Sequence, residues 1–372
     1  MNELRRKIER EIADHGPIPF SRYMELCLYD PEFGYYAHSA SQFGKAGDFY
    51  TSSDIHAVFG RLLARQFEEM WRVLGSSQNI ILRELGPGRG LFAQDVLDWS
   101  ETKFPDFFRA LHYDLIEQSP KLRERIGQTL ARHFSSKKAS FTASPDDVPT
   151  IVFANEFFDA LPVEILSSRG SLRIDCRDGR FLERWAPASP AELEYLDRYS
   201  VHPEEGERIE VPLQSHKEML TATNFDRGFL IAIDYGYTRD EQLAGRHRGT
   251  LKAIRQHSAS ANPYEAPGKQ DITADVNFTA LAEAAGQREF HAHRVITQSQ
   301  FLMGIGETNQ FADAFEDCRL PQERAKVALQ LKHLVTPAGM GESFHVLVAS
   351  KNIDLNAIAR LAGLSFGHGF RT

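Results

Sequence analysis

The chain has 372 residues, of which 43 are Lys or Arg and 51 are Asp or Glu, giving a formal net charge of −8 at pH 7. This acidic balance argues against nonspecific nucleic-acid binding, which needs a basic surface. Apolar runs are too short for a membrane helix, and the N-terminal residues predict neither a signal nor a transit peptide. Three scattered cysteines indicate a reducing compartment, so we expect a cytoplasmic enzyme without membrane insertion.

The first 75 residues predict helices interrupted by an ordered loop. Leu4, Ile8 and Ile12 recur at helical spacing, and helical patterns return around residues 21–28 and 55–74. Between them lie YDPEFGYY and FGKAGDFYTSSD, which are too aromatic for a solvated linker. We therefore expect this segment to be packed against the rest of the protein.

From residue 79 onward, short apolar runs alternate with helical patterns. The runs are NIILREL, HYDLIE, TIVFANE and GFLIAIDYG. Alternating β and α elements with nearly continuous apolar strands predict an α/β fold whose mostly parallel sheet is covered on both faces. Residues 167–227 interrupt this alternation with a predicted hairpin that turns at Asp178-Gly179. Residues 250–275 are rich in Gly, Pro and polar residues and predict a long ordered loop.

A glycine-rich turn follows the first of these strands. Glu84 precedes Gly86, Gly88 and Gly90, and a helical pattern begins directly afterwards. Glycines permit a tight turn that brings backbone N–H groups close to a ligand. A dinucleotide site spaces its glycines G-x-G-x-x-G and places phosphate nearby, where a carboxylate would be repelled. The spacing G-x-G-x-G with Glu84 favours a cationic ligand.

Acidic and amide residues also end the next two strands. Glu117 closes HYDLIE, where an acid can accept hydrogen bonds from ribose hydroxyls. The third run ends in Asn155 and Glu156, with Asp159 three residues later. Glu156 and Asp159 could hold a nitrogen nucleophile or could instead cap a following helix; the pattern leaves both open. Likewise, Tyr235-Gly236-Tyr237 could form a turn or a substrate wall.

Several segments together resemble one family, the MidA-like S-adenosylmethionine (SAM) methyltransferases, which are related to the mitochondrial complex I assembly factor that methylates arginine. The segments that carry the resemblance are GPIPFSRYMELCLYDPEFGYY, FGKAGDFYTSSDIHAVFG, ELGPGRG, ANEFFDALP, IDYGY, PGKQDITADVNFTAL, TQSQFL and MGESFHVLVASK. The resemblance runs from about residue 14 to 351. It implies a class I SAM-methyltransferase (Rossmann-like) fold with a helical N-terminal extension and an inserted α+β segment.

The resemblance also implies the domain limits and the reaction. It divides the chain into a helical extension with a cofactor-covering loop (1–75), a methyltransferase domain with an insertion at about 167–227 (76–352), and a C-terminal tail (353–372). The implied reaction is methylation of an arginine in a protein acceptor, a subunit of respiratory complex I. A SAM-binding assembly factor without strong catalysis and, as a lesser alternative, an NAD(P)-dependent oxidoreductase remain open. The sequence does not predict an oligomeric state.

Site residues follow from the strand ends and the resemblance. The predicted SAM-binding residues are Glu84, Gly86, Gly88, Gly90, Glu117, Asp48, Tyr50, Thr51 and Asn155. The predicted catalytic residues are Glu156 and Asp159, which would clamp a guanidinium, together with Asp234. No His/Cys cluster has the spacing of metal ligands, so we expect no metal.

Overall fold

Two units make up the fold of the computed structural model, which describes residues 3–38, 57–255, 258–260 and 262–366. The first unit contains the described residues of Met1–Phe49, Glu156–Thr221 and Tyr235–Ala284. The second unit contains those of Tyr50–Asn155, Ala222–Asp234 and Ala285–Thr372. The division into residues 1–75, 76–352 and 353–372 stays a prediction.

Helices and strands are numbered here in chain order over the described residues. The helices are α1 Glu3–His15, α2 Phe20–Tyr29, α3 Tyr35–His38, α4 Ala57–Val73, α5 Leu91–Lys103, α6 Pro105–Ala110, α7 Pro120–Thr129, α8 Ala131–Ser135, α9 Pro190–Tyr199, α10 Leu213–Ala222, α11 Arg239–Leu243, α12 Phe278–Gly286, α13 Gln298–Glu307, α14 Ala312–Phe315, α15 Pro321–Val335, α16 Leu355–Ile358 and α17 Ala362–Ser365. The strands are β1 Ile18–Pro19, β2 Ile80–Leu85, β3 Leu111–Ile116, β4 Ala139–Ser140, β5 Thr150–Asn155, β6 Glu164–Ser167, β7 Gly170–Arg177, β8 Arg180–Ala186, β9 Ile209–Val211, β10 Gly228–Tyr237, β11 Lys252–Arg255, β12 Ser258–Ser260, β13 Asp271–Thr273, β14 Val276–Asn277, β15 His291–Ala292, β16 Ile296–Thr297 and β17 Phe344–Lys351.

The second unit is built on the predicted parallel sheet. Its strand order is β15-β17-β10-β5-β2-β3-β4, and β16 also pairs with β17. The pairs β10–β5, β5–β2, β2–β3 and β3–β4 are parallel, whereas β15 and β16 pair with β17 in antiparallel orientation. All six residues of β2 are buried, as expected for a strand covered on both faces. The mostly parallel sheet of the predicted α/β fold is therefore confirmed.

Close helix packing covers this sheet. On α5, the Phe92 ring stacks on Phe153 of β5 with the ring centroids 4.5 Å apart. Gly60 lets α4 approach α5 closely, because a Cβ atom at Gly60 would lie 2.6 Å from the Asp95 Cβ atom. The strand–loop–helix unit that carries the glycine turn is therefore held on a tightly packed support.

The first unit contains an antiparallel sheet in the order β1-β7-β6-β9, with β8 paired to β7. The predicted hairpin is confirmed: Arg177 pairs with Arg180, and the turn residues Asp178 and Gly179 have φ angles of 49° and 68°. Two positive φ angles in a two-residue loop are the type I′ geometry that matches strand twist. Apolar residues of α1 and α2 pack with those of the sheet in one core.

The region predicted as one long loop proved to contain strands. Within residues 250–275, β11 pairs in antiparallel orientation with both β12 and β13. The loop prediction was wrong here because strands of three or four residues are too short to show a recognisable alternation. Across the part of the chain that the structure describes, we find no helix with the length and apolar character needed to span a membrane.

Candidate functional site

The carboxyl ends of four parallel strands carry the predicted ligand-binding residues of the second unit. The order of the strands reverses between β2 and β5: β3 and β4 lie on one side of β2, whereas β5 and β10 lie on the other. In open α/β sheets, ligands bind outside the carboxyl ends at such a switch point. Leu85, at the end of β2, pairs with Ala154, next to the end of β5, so both strands end together.

A left-handed turn joins β2 to α5. Gly86, Gly88 and Gly90 have φ angles of 64°, 54° and 76°, which side-chain-bearing residues rarely adopt. The Gly86 N–H donates to the Ile116 carbonyl over 3.1 Å, which ties the turn to β3. Within the described residues, a Cβ atom at Gly88 would meet no heavy atom within 4 Å. The turn therefore leaves open space beside its middle glycine, where a ligand can approach the backbone.

Glu84 lies one residue before the end of β2 and is 5% exposed. The Tyr113 hydroxyl of β3 donates to Glu84 Oε2 over 2.8 Å. Burial raises the pKa of Glu84 to about 8, although the Tyr113 hydrogen bond opposes this rise. A buried carboxyl group with this pKa favours a nearby positive charge, because a cation would stabilise its ionised form.

Glu117 follows the last residue of β3 and is half-buried. Its Oε1 accepts a hydrogen bond from the Ser119 N–H over 2.7 Å. Burial raises the pKa of Glu117, while the backbone N–H groups of Ser119 and Gln118 lower it. The residue is thus held at the strand end beside the loop to α7, in the position predicted for an acceptor of ribose hydroxyls.

Asn155 and Asp234 complete this edge of the second unit. Asn155 is the last residue of β5 and pairs with Ile233 of β10, so that Asp234 lies one residue further along β10. Asp234 is fully buried and Asn155 is half-buried. The structure therefore brings Glu84, Glu117, Asn155 and Asp234 to the ends of neighbouring strands. The predicted residues Asp48, Tyr50 and Thr51 lie outside the described residues.

The donor set at this edge fits the predicted cationic nucleoside ligand. Backbone turns at three glycines provide close approach, and carboxylates lie at the ends of β2 and β3. A sulfonium or ammonium group beside Glu84 would favour its ionised form, which then offers negative charge to that cation, and Glu117 offers acceptors to hydroxyl groups. A pyrophosphate beside Glu84 would instead disfavour that ionised form by charge repulsion.

In the first unit, Glu156 and Asp159 lie on the segment that follows β5. Glu156 has a φ angle of 49°, an uncommon left-handed conformation for a residue with a side chain. The described residues 156–163 contain no helix, so the interpretation of these acids as helix caps is wrong. Glu156 is half-buried, whereas Asp159 is 5% exposed.

A tyrosine hydroxyl and a backbone N–H group bond Asp159 in the first unit. The Tyr235 hydroxyl donates to Asp159 Oδ2, and the Ala274 N–H donates to the Asp159 carbonyl over 2.9 Å. Burial raises the pKa of Asp159 to about 6, with the Tyr235 hydrogen bond opposing the rise. Because Tyr235 lies within β10, its placement in a turn, left open by the sequence, is wrong.

A second carboxylate–tyrosine pair lies in the same unit. The Tyr36 hydroxyl donates to Asp271 Oδ1 over 3.3 Å, and the Tyr36 and Tyr29 ring centroids lie 5.4 Å apart. Burial raises the pKa of Tyr36, and the negative charges of Asp271 and Asp159 raise it further. Sequence reasoning did not select Tyr36 or Asp271, although both lie in segments that carry the family resemblance, YDPEFGYY and PGKQDITADV.

Grouped His, Cys, Asp and Glu side chains that could hold a metal ion do not occur among the described residues.

Comparison with known proteins identifies the family. A family model described as an S-adenosyl-L-methionine-dependent methyltransferase matches residues 62–296. The mitochondrial protein arginine methyltransferase NDUFAF7 homolog of Drosophila melanogaster is 30% identical over 386 aligned positions, covering 92% of this chain and 84% of that protein. The mitochondrial protein arginine methyltransferase NDUFAF7 of Danio rerio is 29% identical, covering 90% of this chain and 83% of that protein.

A solved structure agrees with these sequence relatives. A COG1565 superfamily member from Burkholderia thailandensis, bound to S-adenosyl-homocysteine, matches with a TM-score of 0.82 and 29% identity over 96% of this chain and 94% of that chain. These matches confirm the predicted class I fold, the enzyme class and the methyl donor, and they set aside the oxidoreductase alternative. The chain belongs to the family of S-adenosyl-L-methionine-dependent methyltransferases.

Proposed function

We propose that this chain transfers methyl groups from SAM to an arginine side chain of a protein acceptor. The observation that carries the proposal is the buried Asp159 carboxylate, held by a tyrosine hydroxyl next to the half-buried Glu156 segment. Relatives named as protein arginine methyltransferases support it over most of the chain. The family resemblance extends the proposal to an arginine in a subunit of respiratory complex I. The cytoplasmic location stays a prediction.

Each group of residues receives its own task in this proposal. Glu84, the three glycines of the turn, Glu117 and Asn155 hold SAM, and Asp234 supports the reaction at the end of β10. When bound, SAM would supply a methyl group carried on a positively charged sulfur. A guanidino nitrogen would form the new C–N bond, the C–S electron pair would stay on sulfur, and the proton released from the nitrogen would pass to solvent.

The acceptor side must overcome the weak nucleophilicity of arginine. A guanidinium stays protonated in proteins, so its nitrogens carry little free electron density. Two carboxylates can orient its planar fork through charge-assisted hydrogen bonds and concentrate electron density on the attacking nitrogen. We assign this clamp to Glu156 and Asp159. Positioning of the nitrogen then contributes much of the rate enhancement.

The test separates binding of SAM from transfer of its methyl group. Binding is measured by calorimetry with SAM, and transfer by mass spectrometry of arginine peptides after incubation with complex I subunits. The variant Glu156→Ala/Asp159→Ala should bind SAM normally but lose at least about 100-fold in transfer rate. Turnover that survives in this variant would contradict the clamp.

A matched control has the same spacing of acids on the surface of the first unit. Glu194 and Asp197 are exposed on α9 and, like Glu156 and Asp159, lie three residues apart. Glu194→Ala/Asp197→Ala should therefore leave both SAM binding and methyl transfer unchanged. SAM binding by the wild-type protein without any methylated arginine would favour the role of a SAM-binding assembly factor instead.

A further inference from the structure

The hydroxyl of Tyr235 has a task that neither the family match nor the predicted site residues assign. It donates to Oδ2 of Asp159, a carboxylate that is 5% exposed and therefore almost fully removed from water. The backbone of Asp159 is fixed independently, since its carbonyl accepts from the Ala274 N–H over 2.9 Å. With the backbone held and one carboxylate oxygen bonded, the remaining freedom of the Asp159 side chain is small.

Charged and titratable groups on the surrounding elements act on the same carboxylate. Asp275 lies close enough to disfavour its ionisation, and Asp159 in turn acts on the hydroxyl of Tyr36. Lys252 Nζ lies 2.9 Å from Asp275 Oδ1 and 5.0 Å from the centroid of the Tyr235 ring.

These neighbours have opposite effects on the ionisation of Asp159. Burial and Asp275 favour its neutral form, whereas hydrogen bonding from Tyr235 favours its ionised form. An acid must be ionised to clamp a guanidinium by charge-assisted hydrogen bonds. The donor that favours the charged form therefore decides at which pH the acid can bind such a ligand.

We propose that Tyr235 is a positioning residue, which acts through its hydroxyl to orient the Asp159 carboxylate and keep it charged for an acceptor guanidinium. The inference depends on the proposed function, because it assumes that Asp159 binds the acceptor. Tyr235 itself needs no contact with the methyl donor.

The variant Tyr235→Phe tests this role because it removes only the hydroxyl. The measurement is kcat/KM for an arginine peptide between pH 5 and 9, where the acid limb reports ionisation of the free enzyme. Loss of the hydrogen bond should move this limb to higher pH by about one unit, while the Kd for SAM stays within about twofold. An acid limb that superimposes on the wild-type limb would overturn the proposal.

Tyr264 provides a matched control in the same unit. Its hydroxyl also donates to a carboxylate, Glu183 Oε1, over 3.0 Å. Tyr264→Phe removes an equivalent hydrogen bond and should leave the acid limb unmoved. If it moved the limb as Tyr235→Phe does, the effect would be a general loss of packing, and the specific role of Tyr235 would be wrong.

Two further measurements keep the test decisive if Tyr235→Phe folds poorly or if wild-type turnover is absent. Incorporation of 3-fluorotyrosine at position 235 keeps the hydroxyl and makes it a stronger donor, so the acid limb should move to lower pH. Titration of the ¹³C-labelled Asp159 carboxyl group by NMR follows the same ionisation without turnover. If the Asp159 titration differs between the wild-type protein and the variant at position 235, but no arginine is methylated, the Tyr235 interaction is supported while the proposed function fails. If the titration is the same in both proteins, the inference is overturned even if methylation is observed.

Discussion

Each unit contains a buried carboxyl group that accepts a hydrogen bond from a tyrosine on a neighbouring strand or segment, yet the two acids differ. Glu84 of the second unit is bonded by Tyr113, and Asp159 of the first unit is bonded by Tyr235. Both acids are 5% exposed. Burial raises the pKa of Glu84 to about 8 but that of Asp159 only to about 6.

The difference shows that hydrogen bonds from the local backbone, as well as burial, set the pKa of a buried acid. Glu84 lies inside a strand, where the backbone N–H groups are committed to the sheet, and Tyr113 is the donor that lowers its pKa. Asp159 lies in an irregular segment, where the N–H groups of Ala160 and of Asp159 itself also lower the pKa. An irregular backbone can thus favour the charged form of an acid more than a strand does, which agrees with the proposed role of Asp159 as a carboxylate that is ionised above about pH 6.

The largest loss of SAM binding is expected when a side chain fills the open space beside Gly88 in the second unit. In Gly88→Val the new side chain enters the open space beside the turn, so we expect SAM binding to weaken by about 100-fold or more. Gly75→Val is the control, since Gly75 also has a positive φ angle, 85°, and an added Cβ there would meet no heavy atom of the described chain within 4 Å. Calorimetry should show unchanged binding for the control. Equal losses in both variants would mean that backbone strain alone causes the effect.

The raised pKa of Glu84 should make the free energy of unfolding depend on pH. The folded protein keeps the Glu84 proton up to about pH 8, whereas the unfolded chain releases it near the ordinary value of 4.5. The contribution of Glu84 to the free energy of unfolding is therefore fully present below about pH 4.5 and is lost as the pH rises towards 8. Over the interval from pH 6 to 7.5, Glu84 should account for a loss of roughly 2 kcal/mol in the free energy of unfolding, so urea unfolding of Glu84→Gln should show a loss smaller than the wild-type loss by that amount.

The control for this pH dependence of stability is a solvent-exposed acid of the same unit. Glu101 is exposed on α5, and Glu101→Gln should keep the wild-type dependence of stability on pH. If Glu84→Gln kept the full slope as well, the buried acid responsible would lie elsewhere in the chain.

A third prediction distinguishes the tasks of the two acids. A bound cationic donor would favour the ionised form of Glu84, which Glu84→Gln cannot adopt, so this variant should weaken SAM binding by about tenfold. Asp159→Asn should leave the Kd for SAM within about twofold while abolishing methyl transfer. Asp95→Asn serves as a further control in calorimetry, because Asp95 lies on α5 and burial also raises its pKa, to about 7. If Asp159→Asn weakened SAM binding as much as Glu84→Gln, the proposed assignment of Glu84 to the methyl donor and of Asp159 to the acceptor would be wrong.

The smallest expected effect is that of the tyrosine donor to Glu84. Tyr113 is fully buried, and Tyr113→Phe removes one hydrogen bond without creating a large cavity. We expect the free energy of unfolding to fall by about 1 kcal/mol near pH 7 and by more at pH 9, where Glu84 needs the donor for its charge. Urea unfolding at both pH values checks this, and an equal loss at pH 7 and pH 9 would contradict it.

Much of the second unit was predictable because its signals are local. The apolar runs predicted strands whose observed bounds are Ile80–Leu85, Leu111–Ile116, Thr150–Asn155 and Gly228–Tyr237. A parallel strand buried on both faces must be apolar over its whole length, so the run itself reveals the element. The short strands within residues 250–275 lacked such a signal and were missed.

The family, the fold class, the glycine turn and the acids at the strand ends could all be predicted from the amino-acid sequence, since each depends on residues that are close together in the chain. The tyrosine that bonds each acid could not be predicted in this way, because it depends on how distant segments pack. Tyr113 reaches Glu84 across 29 positions of sequence, and Tyr235 reaches Asp159 across 76. Pairings over such separations depend on strand register and on the course of an irregular segment, and burial then sets the charge of each acid.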